Sequence, residues 1–487
     1  MKKLFSVVLV ALLIITGSFT AVYAESNDDG SNTGDNSFES WVQDIDPSTL
    51  DIHYPGEDLV NEEDEEPRPV YDDSDVVRVS IVLDKPATLD IYSAEDVADN
   101  AEAIAYRESL QDEQNDITKA IENKINSELD VQWNLTLAAN IISANVEYGD
   151  IETIKKVEGV EDVFVETRYE VLDDEINTAV TTEYMVNVTA AWAQGYTGAG
   201  SRVAIIDTGT NQDHISFDPE AFEYALTKDG KSLDDYNLLT KAEINSVLEQ
   251  LNLNNATSKY DIESAEEVYK NSKIPFAFNY VDGNTVTDHD SDNQGEHGSH
   301  VAGITAANRY VKVNGEFVDA AKEVGAVGTA PDAQILTMKV FGQGGGAYDS
   351  DYFAAIEDAI ILKADSINLS LGSSNPGFSF AGAYQGIMDG LVETNSTVVI
   401  SAGNSYNWTY AASNIQIDEK TFYGQLYLDD VSEDTVGSPA SFTNSLSIAA
   451  AENVGVVGRP LKYNGKEIFY TETSSRAAEK NQAEDEI

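Results

Sequence analysis

The second half of the chain alternates short, continuous apolar runs with helical stretches, and this pattern restricts the possible folds more than any other feature. Arg202–Ile206 is apolar after its first residue, and similar runs recur in Ser366–Gly372 and Thr397–Asn404. Runs without polar alternation are typical of strands buried on both faces of a parallel sheet. A helical stretch, Tyr352–Leu362, lies between the first two. We therefore predict an α/β domain with a doubly wound parallel sheet over residues 177–475.

Residues 76–170 carry a different pattern, which predicts a small separate domain. Apolar residues first alternate with period two, as in a strand, and then recur every fourth residue, as on a helix face. Two extended runs, a short helix and a last strand follow. The order β-α-β-β-α-β predicts an α+β, ferredoxin-like domain. The residues of these two patterns are Val77, Val79, Ile81 and Leu83 for the strand, and Ile117, Ile121, Ile125 and Leu129 for the helix.

The first 24 residues predict a signal peptide. Lys2 and Lys3 precede an apolar run, Leu4–Ile15, and the small residues at Val22–Ala24 suit a cleavage site. An uncleaved anchor is the alternative, but the run is short for a membrane span. No other 18-residue apolar stretch follows. We expect a protein that is secreted or held in the cell envelope, with no membrane span after signal removal.

The chain is strongly acidic, with a formal net charge of −57. Residues 25–75 contain 18 acidic side chains and one basic side chain, which predicts a disordered acidic linker, with specific cation binding as the alternative. Residues 476–487 form a polar tail. The charge repels phosphate and argues against nucleic acid as a partner. The absence of cysteine excludes disulfides, thiolate metal sites and a cysteine nucleophile.

Three polar residues stand where α/β sheets place catalytic groups. Asp207 ends the strand Arg202–Ile206, His297 opens a small-residue helix, and Asn404 follows a buried strand and Gly403. Taken singly, each also fits a turn or a surface position. Taken together, their order is an aspartate, a histidine and an asparagine that can donate to an oxyanion, which is the order known from subtilisin.

A metal site is a second interpretation of the same region. Asp288, Asp290 and Asp292 match the beginning of a calcium loop, but Asn293 and Ser299 replace the glycine and the glutamate that such a loop needs. A transition-metal site would use His297 with His300 and the nearby aspartates. We predict no required cofactor and leave calcium possible but unassigned.

From Trp192 onward, four segments resemble the subtilisin-like serine peptidases, or subtilases. Further segments, Ile274–Asp282 and Thr435–Pro439, resemble the large cell-envelope members of the lactocepin and C5a-peptidase type. The four segments are Val203–Gly209, His297–Gly303, Ser370–Gly372 and Ser401–Asn404.

The resemblance implies a role for each matching position. Asp207 would be the triad aspartate, His297 the general base, Asn404 the oxyanion donor and His300 the second, non-catalytic histidine. Residues 76–170 would be an inhibitory propeptide bound in the active-site cleft, and the substrates would be polypeptides. The backbone segments that clamp an extended substrate would be formed by Gly344, Gly346, Ser370, Leu371 and Gly372.

The sequence departs from the family at the nucleophile. No Gly-Thr-Ser-Met-Ala-x-Pro segment occurs, and Ser474 lacks the preceding glycine and the following proline. We therefore expect a serine endopeptidase chain truncated before its catalytic serine. A catalytically inactive, peptide-binding pseudo-protease and a metal-dependent hydrolase are the alternatives.

Overall fold

The computed structural model describes residues 71–94, 97–169, 186–254, 260, 262–289 and 292–376, with shorter pieces at 387–403, 415–422, 437–449 and 461–468 that are interrupted by gaps. All of these residues belong to one compact unit, residues 69–487. The predicted signal peptide, most of the acidic linker, Asn404, Ser474 and the polar tail lie outside the described residues. Among the described residues, no helix combines the length and the apolarity that a membrane crossing needs.

Residues 71–169, called the first unit below, have the predicted α+β order of elements. Their antiparallel sheet has the order β2-β3-β1-β4, which is the arrangement of a split βαβ fold. One face of this sheet packs on α1 through a core that includes Ile81 and Ile121. The elements are β1 (Val76–Leu83), α1 (Ala101–Ile125), β2 (Asp130–Leu135), β3 (Ile141–Glu147), α2 (Ile151–Ile154) and β4 (Val160–Val165), with single 3-10 turns at Thr88–Asp90 and Tyr148–Asp150.

Helix α1 is shorter than its apolar spacing suggested. Asn100 caps its first turn by accepting hydrogen bonds from the amides of Glu102 and Ala103. Asn126 adopts a left-handed conformation, with φ of 56°, and ends the helix before Leu129. Leu129 is nevertheless buried in the core of the first unit.

Residues 186 onward, called the second unit below, form the predicted parallel sheet. Among the described residues, six strands form one sheet in which every neighbouring pair is parallel, in the order Leu446–Ile448, Thr397–Ser401, Ser366–Leu369, Arg202–Asp207, Gln334–Lys339 and Phe276–Asn279. The helices are α3 (Val188–Ala193), α4 (Pro219–Thr227), α5 (Lys241–Val247), α6 (Ala265–Val268), α7 (His297–Ala306), α8 (Ala320–Glu323) and α9 (Asp349–Ile361), with 3-10 turns at Ile215–Phe217, Leu233–Asp235 and Leu248–Gln250. The strands are β5 (Arg202–Asp207), β6 (Phe276–Asn279), β7 (Tyr310–Val313), β8 (Glu316–Asp319), β9 (Gln334–Lys339), β10 (Ser366–Leu369), β11 (Ser373–Pro376), β12 (Thr397–Ser401), β13 (Ile415–Ile417), β14 (Lys420–Phe422), β15 (Gly437–Ser438), β16 (Leu446–Ile448), β17 (Leu461–Tyr463) and β18 (Lys466–Ile468).

Strand β5 is buried along its whole length, because both faces of the sheet are covered. Val203 and Ile205 pack in one core together with Ala302 of α7. Ala204 and Ile206 point to the other face and belong to the core that contains Ile356 of α9. Helices therefore cover both sides, and the predicted doubly wound sheet is confirmed.

Helix α9 is the element of the second unit that packs against the first unit. All 13 of its residues are buried, although five of them are polar or charged. One side packs on the parallel sheet, and the other meets the first unit, where the indole N–H of Trp133 donates to Asp351 Oδ1 at 2.8 Å. Glu357 Oε1 accepts hydrogen bonds from the backbone amides of Leu137 and Ala138, at 3.0 and 2.6 Å.

Candidate active site

Asp207 and His297 meet at the carboxyl end of the parallel sheet. Asp207 is the last residue of β5 and is fully buried, whereas His297 begins α7 and keeps 23% of its side chain exposed. His297 Nδ1 and Asp207 Oδ1 are 2.8 Å apart. The backbone amide of Thr208 also donates to Asp207 Oδ1, at 2.6 Å. Two residues that the sequence separates by 90 positions are thus brought into hydrogen-bond contact.

The small residue after His297 allows this close approach. A Cβ atom on Gly298 would overlap the carbonyl oxygen of Gly209 and lie 3.1 Å from Asp207 Oδ1. The amide of Gly298 donates to Thr208 Oγ1 at 2.8 Å. Helix α7 can therefore begin directly against the end of β5 only because position 298 has no side chain.

A buried ion pair lies behind the aspartate, and sequence reasoning missed it. Lys339 is opposite Asp207 in the pairing of β5 with β9, and its Nζ is 2.8 Å from Asp292 Oδ2. Lys339 also donates to the carbonyl oxygen of Thr208. Both charged side chains are fully buried. The pair ties the loop before His297 to the strand next to Asp207, and the sequence signal for it was a lysine at the end of a buried strand.

Two residues of the region suggested for a metal, Asp292 and His289, have other partners in the structure. Asp292 pairs with Lys339, and Asp290 lies outside the described residues. His289 Nε2 is 2.6 Å from Ser299 Oγ, while His300 lies on the exposed side of α7. Within the described part of the chain, no group of three or more histidine, aspartate or glutamate side chains is arranged to hold a metal ion.

The glycine-rich segment lies beside the loop that leads to His297. The side chain of Gln294 donates to the carbonyl oxygen of Gly342 at 3.1 Å. Asp282, which the sequence did not single out by itself, accepts hydrogen bonds from the amides of Gln343 and Gly344, each at 2.9 Å. The carboxylate of Asp282 thus fixes one side of the glycine-rich segment, and the backbone on the other side can pair with a peptide.

The end of the first unit occupies that edge. The amide of Tyr169 donates to the carbonyl oxygen of Ala347 at 2.7 Å, and Arg168 forms an antiparallel bridge with Tyr348. A Cβ atom on Gly346 would overlap the carbonyl oxygen of Tyr169. The structure therefore places an extended peptide segment against the edge predicted for peptide pairing.

The other predicted substrate segment follows β10. Leu369 of β10 pairs with Ile206 of β5, so Ser370 follows at the sheet edge where Asp207 lies. Ser370 is half-buried, and Leu371 and Gly372 are buried. Strand β12, which pairs with β10, ends at Ser401. The predicted oxyanion donor, Asn404, lies outside the described residues.

A buried sheet-end aspartate in contact with a helix-start histidine is the arrangement found in Asp-His-Ser hydrolases with an α/β fold. The family model described as "Subtilase family" matches residues 198–485. This chain belongs to the subtilase family, a family of serine peptidases.

Its relatives confirm the resemblance to the cell-envelope branch. The chain is 33% identical over 324 residues to the PI-type proteinase of Lactococcus lactis subsp. cremoris, a match that covers 65% of this chain and 14% of that protein. It is 31% identical over 256 residues to the C5a peptidase of Streptococcus pyogenes serotype M6, covering 52% of this chain and 18% of that protein. It is 28% identical over 223 residues to the minor extracellular protease Vpr of Bacillus subtilis, covering 45% and 20%. The chain thus spans a small fraction of these relatives' length.

Proposed function

We propose that this protein acts as an exported serine endopeptidase of the subtilisin class, which hydrolyses peptide bonds through an acyl-enzyme. The observation that carries the proposal is the 2.8 Å contact between His297 Nδ1 and the buried Oδ1 of Asp207. A carboxylate on Nδ1 keeps the proton on that nitrogen, so Nε2 is free to accept a proton from a serine hydroxyl. The same carboxylate then stabilises the imidazolium that forms.

The remaining roles follow from position and from the family. Asn404 would donate its side-chain amide to the tetrahedral oxyanion. A polypeptide substrate would lie extended between two backbone segments. Support comes from the common sheet edge of Ser370 and Asp207 and from the glycine-rich edge that already pairs with Tyr169. The residues of the two segments are Gly344 and Gly346 on one side and Ser370, Leu371 and Gly372 on the other.

The first unit would act as an inhibitory propeptide. Its last residues pair with the edge that a substrate would need, and Glu357 of α9 holds its β2–β3 turn through backbone amides. A segment that fills the cleft excludes substrate until it is removed. Cleavage between residues 170 and 190 would release it.

The serine nucleophile is the component without a recognisable match in these 487 residues. We expect the polypeptide taken alone to bind peptides without forming an acyl-enzyme, because without a nucleophile only binding and the oxyanion donor contribute. The test is incubation of the full chain, and of its His297→Ala variant, with a fluorophosphonate probe, followed by mass spectrometry. Labelling of the wild-type chain that disappears in the variant would identify a working serine here and overturn this expectation.

The genomic DNA after codon 487 tests the peptidase assignment. An in-frame segment encoding Gly-Thr-Ser-Met-Ala, and probe labelling of the extended chain, would support acyl transfer. If no frame encodes such a segment, the pseudo-protease alternative gains, since a cleft with a bound segment and no nucleophile suits a peptide-binding protein. Chelator-sensitive hydrolysis without probe labelling would support the metal-dependent alternative. Export is checked by amino-terminal sequencing of the secreted protein, which should begin at residue 25 before the first unit is cleaved off and between residues 170 and 190 afterwards.

A further inference from the structure

The side chain of Tyr169 fills an enclosed space on the second unit. Tyr169 is 2% exposed, and its hydroxyl donates to Asp349 Oδ1 at 2.9 Å. Its ring lies edge-on to the ring of Tyr352, with the centroids 5.5 Å apart. The hydroxyl of Tyr352 donates to the same oxygen of Asp349 at 2.8 Å. The space therefore has an aromatic wall and a carboxylate that accepts the hydroxyl of its occupant.

The direction of the chain locates this space relative to the catalytic pair. Arg168 pairs with Tyr348 and Tyr169 with Ala347 in antiparallel sense, so residues that continue this pairing would run toward Gly342. Gly342 contacts Gln294, three residues before His297. A peptide in this orientation approaches the histidine after its tyrosine, and the bond to be cut lies on the carboxyl side of that tyrosine.

The three residues that contact Tyr169 here belong to the second unit, although the amide of Thr167 in the first unit also donates to Asp349 Oδ2 at 2.8 Å. Ala347, Asp349 and Tyr352 come from one short stretch at the start of α9, and they remain when the first unit is removed. Asp349 is 1% exposed, and burial, followed by the nearby carboxylate of Glu166, raises its pKa to about 7. A buried carboxyl needs hydrogen-bond partners, and an occupant without a hydroxyl would remove one of them.

We propose that Ala347, Asp349 and Tyr352 form a substrate subsite that selects tyrosine on the amino-terminal side of the cleaved bond, with Asp349 as the specificity-determining residue. The proposal rests on the proposed function, because it takes the bound segment of the first unit as a guide to how substrates lie. The preferred substrates are extended polypeptides that place a tyrosine here. Phenylalanine has the same ring without the hydroxyl and is the substrate to be rejected.

The test is a cavity-rescue measurement on the full chain. Tyr169→Ala removes the occupant, and p-cresol and toluene then stand for the side chains of tyrosine and phenylalanine. We expect p-cresol to bind the variant about tenfold more tightly than toluene by calorimetry, since only p-cresol can form the hydrogen bond to the carboxyl group of Asp349. The double variant Tyr169→Ala/Asp349→Leu should lose this preference, and the wild-type chain should bind neither compound. Equal binding of the two compounds by Tyr169→Ala, or binding of neither, would overturn the proposal.

A milder variant covers the case in which Tyr169→Ala does not fold. Tyr169→Phe keeps the ring and removes the hydroxyl that donates to Asp349. Because this weakens the docking of residue 169, hydrogen exchange at the backbone amide of residue 169 should become about tenfold faster than in the wild-type chain. Unchanged exchange would contradict the role of Asp349. Neither measurement needs catalysis. Failure of the subsite would therefore leave the acyl-transfer proposal standing, and failure of the serine-probe test on an extended chain would leave the binding preference intact.

Discussion

Ionisation of the buried carboxyl group of Asp349 should lower the free energy of unfolding as the pH rises toward neutrality. Burial, and then the charge of Glu166, raise its pKa from 3.8 to about 7. The pKa of Asp349 is higher in the folded state than in the unfolded state. Its contribution to the free energy of unfolding is therefore complete below about pH 4 and is lost as the pH rises to about 7. At about 1.4 kcal/mol per pKa unit, a rise of about 3 units corresponds to roughly 4 kcal/mol over the whole window.

The substitution Asp349→Asn isolates this contribution, because an amide cannot ionise. Between pH 5 and pH 8 the wild-type chain should lose about 3 kcal/mol of unfolding free energy through this group, and the variant should not. Urea denaturation of the full chain at several pH values measures the difference. Trp133, which is buried at the contact with α9, provides the fluorescence signal.

The control is Asp116→Asn, which changes an exposed aspartate on α1 whose side chain is 81% accessible. This variant should follow the wild-type pH profile. The reasoning is refuted if the profiles of Asp349→Asn and wild type stay parallel from pH 5 to pH 8. The same experiment thereby checks whether a buried acidic group responds to pH in this chain.

Three further predictions concern other parts of the molecule. Asp207→Asn should move the proton of His297 from Nδ1 to Nε2, as nitrogen NMR would detect, and in an active peptidase it should lower kcat by about 10⁴; an unchanged tautomer would contradict the orienting role. Gly346→Ala should displace Tyr169 from the glycine-rich edge and speed hydrogen exchange at its amide, whereas unchanged exchange would show that the edge tolerates a Cβ. Burial lowers the pKa of Lys273 to about 7, so the wild-type chain should gain up to about 5 kcal/mol of stability between pH 7 and pH 10.5. Lys273→Met should lack this gain in denaturation measurements, and an equal gain in both chains would refute it.

The contact between Asp207 and His297 could be anticipated from the sequence, because both residues lie at the ends of recognisable elements. Asp207 closes an apolar run, and the carboxyl ends of parallel strands meet at one edge of the sheet. His297 was identifiable because the residues after it are small enough for a helix to begin against that edge. These signals are local, so a single sequence is enough to find them.

The charged groups that surround the pair could not be found in this way. Lys339 and Asp292 are 47 positions apart, and Asp282 holds a loop 61 positions further on. A charge in a strand or loop is usually solvated, and its partner depends on how the elements pack. The end of α1 is a second example. The four-residue apolar spacing continues to Leu129, but Asn126 adopts a left-handed conformation and ends the helix at Ile125.

Helix α9 has a composition that suits two environments. Besides the ring contact of Tyr352, its contacts with the first unit include hydrogen bonds accepted by Asp349, Ser350, Asp351 and Glu357, polar side chains that water would also hydrate. An apolar helix in this place would bind the first unit but would expose an aggregation-prone apolar surface after removal of that unit. Polar side chains avoid this problem, because loss of the first unit replaces protein donors with water. If the first unit is cleaved off as proposed, these polar positions would reduce the apolar surface that α9 exposes.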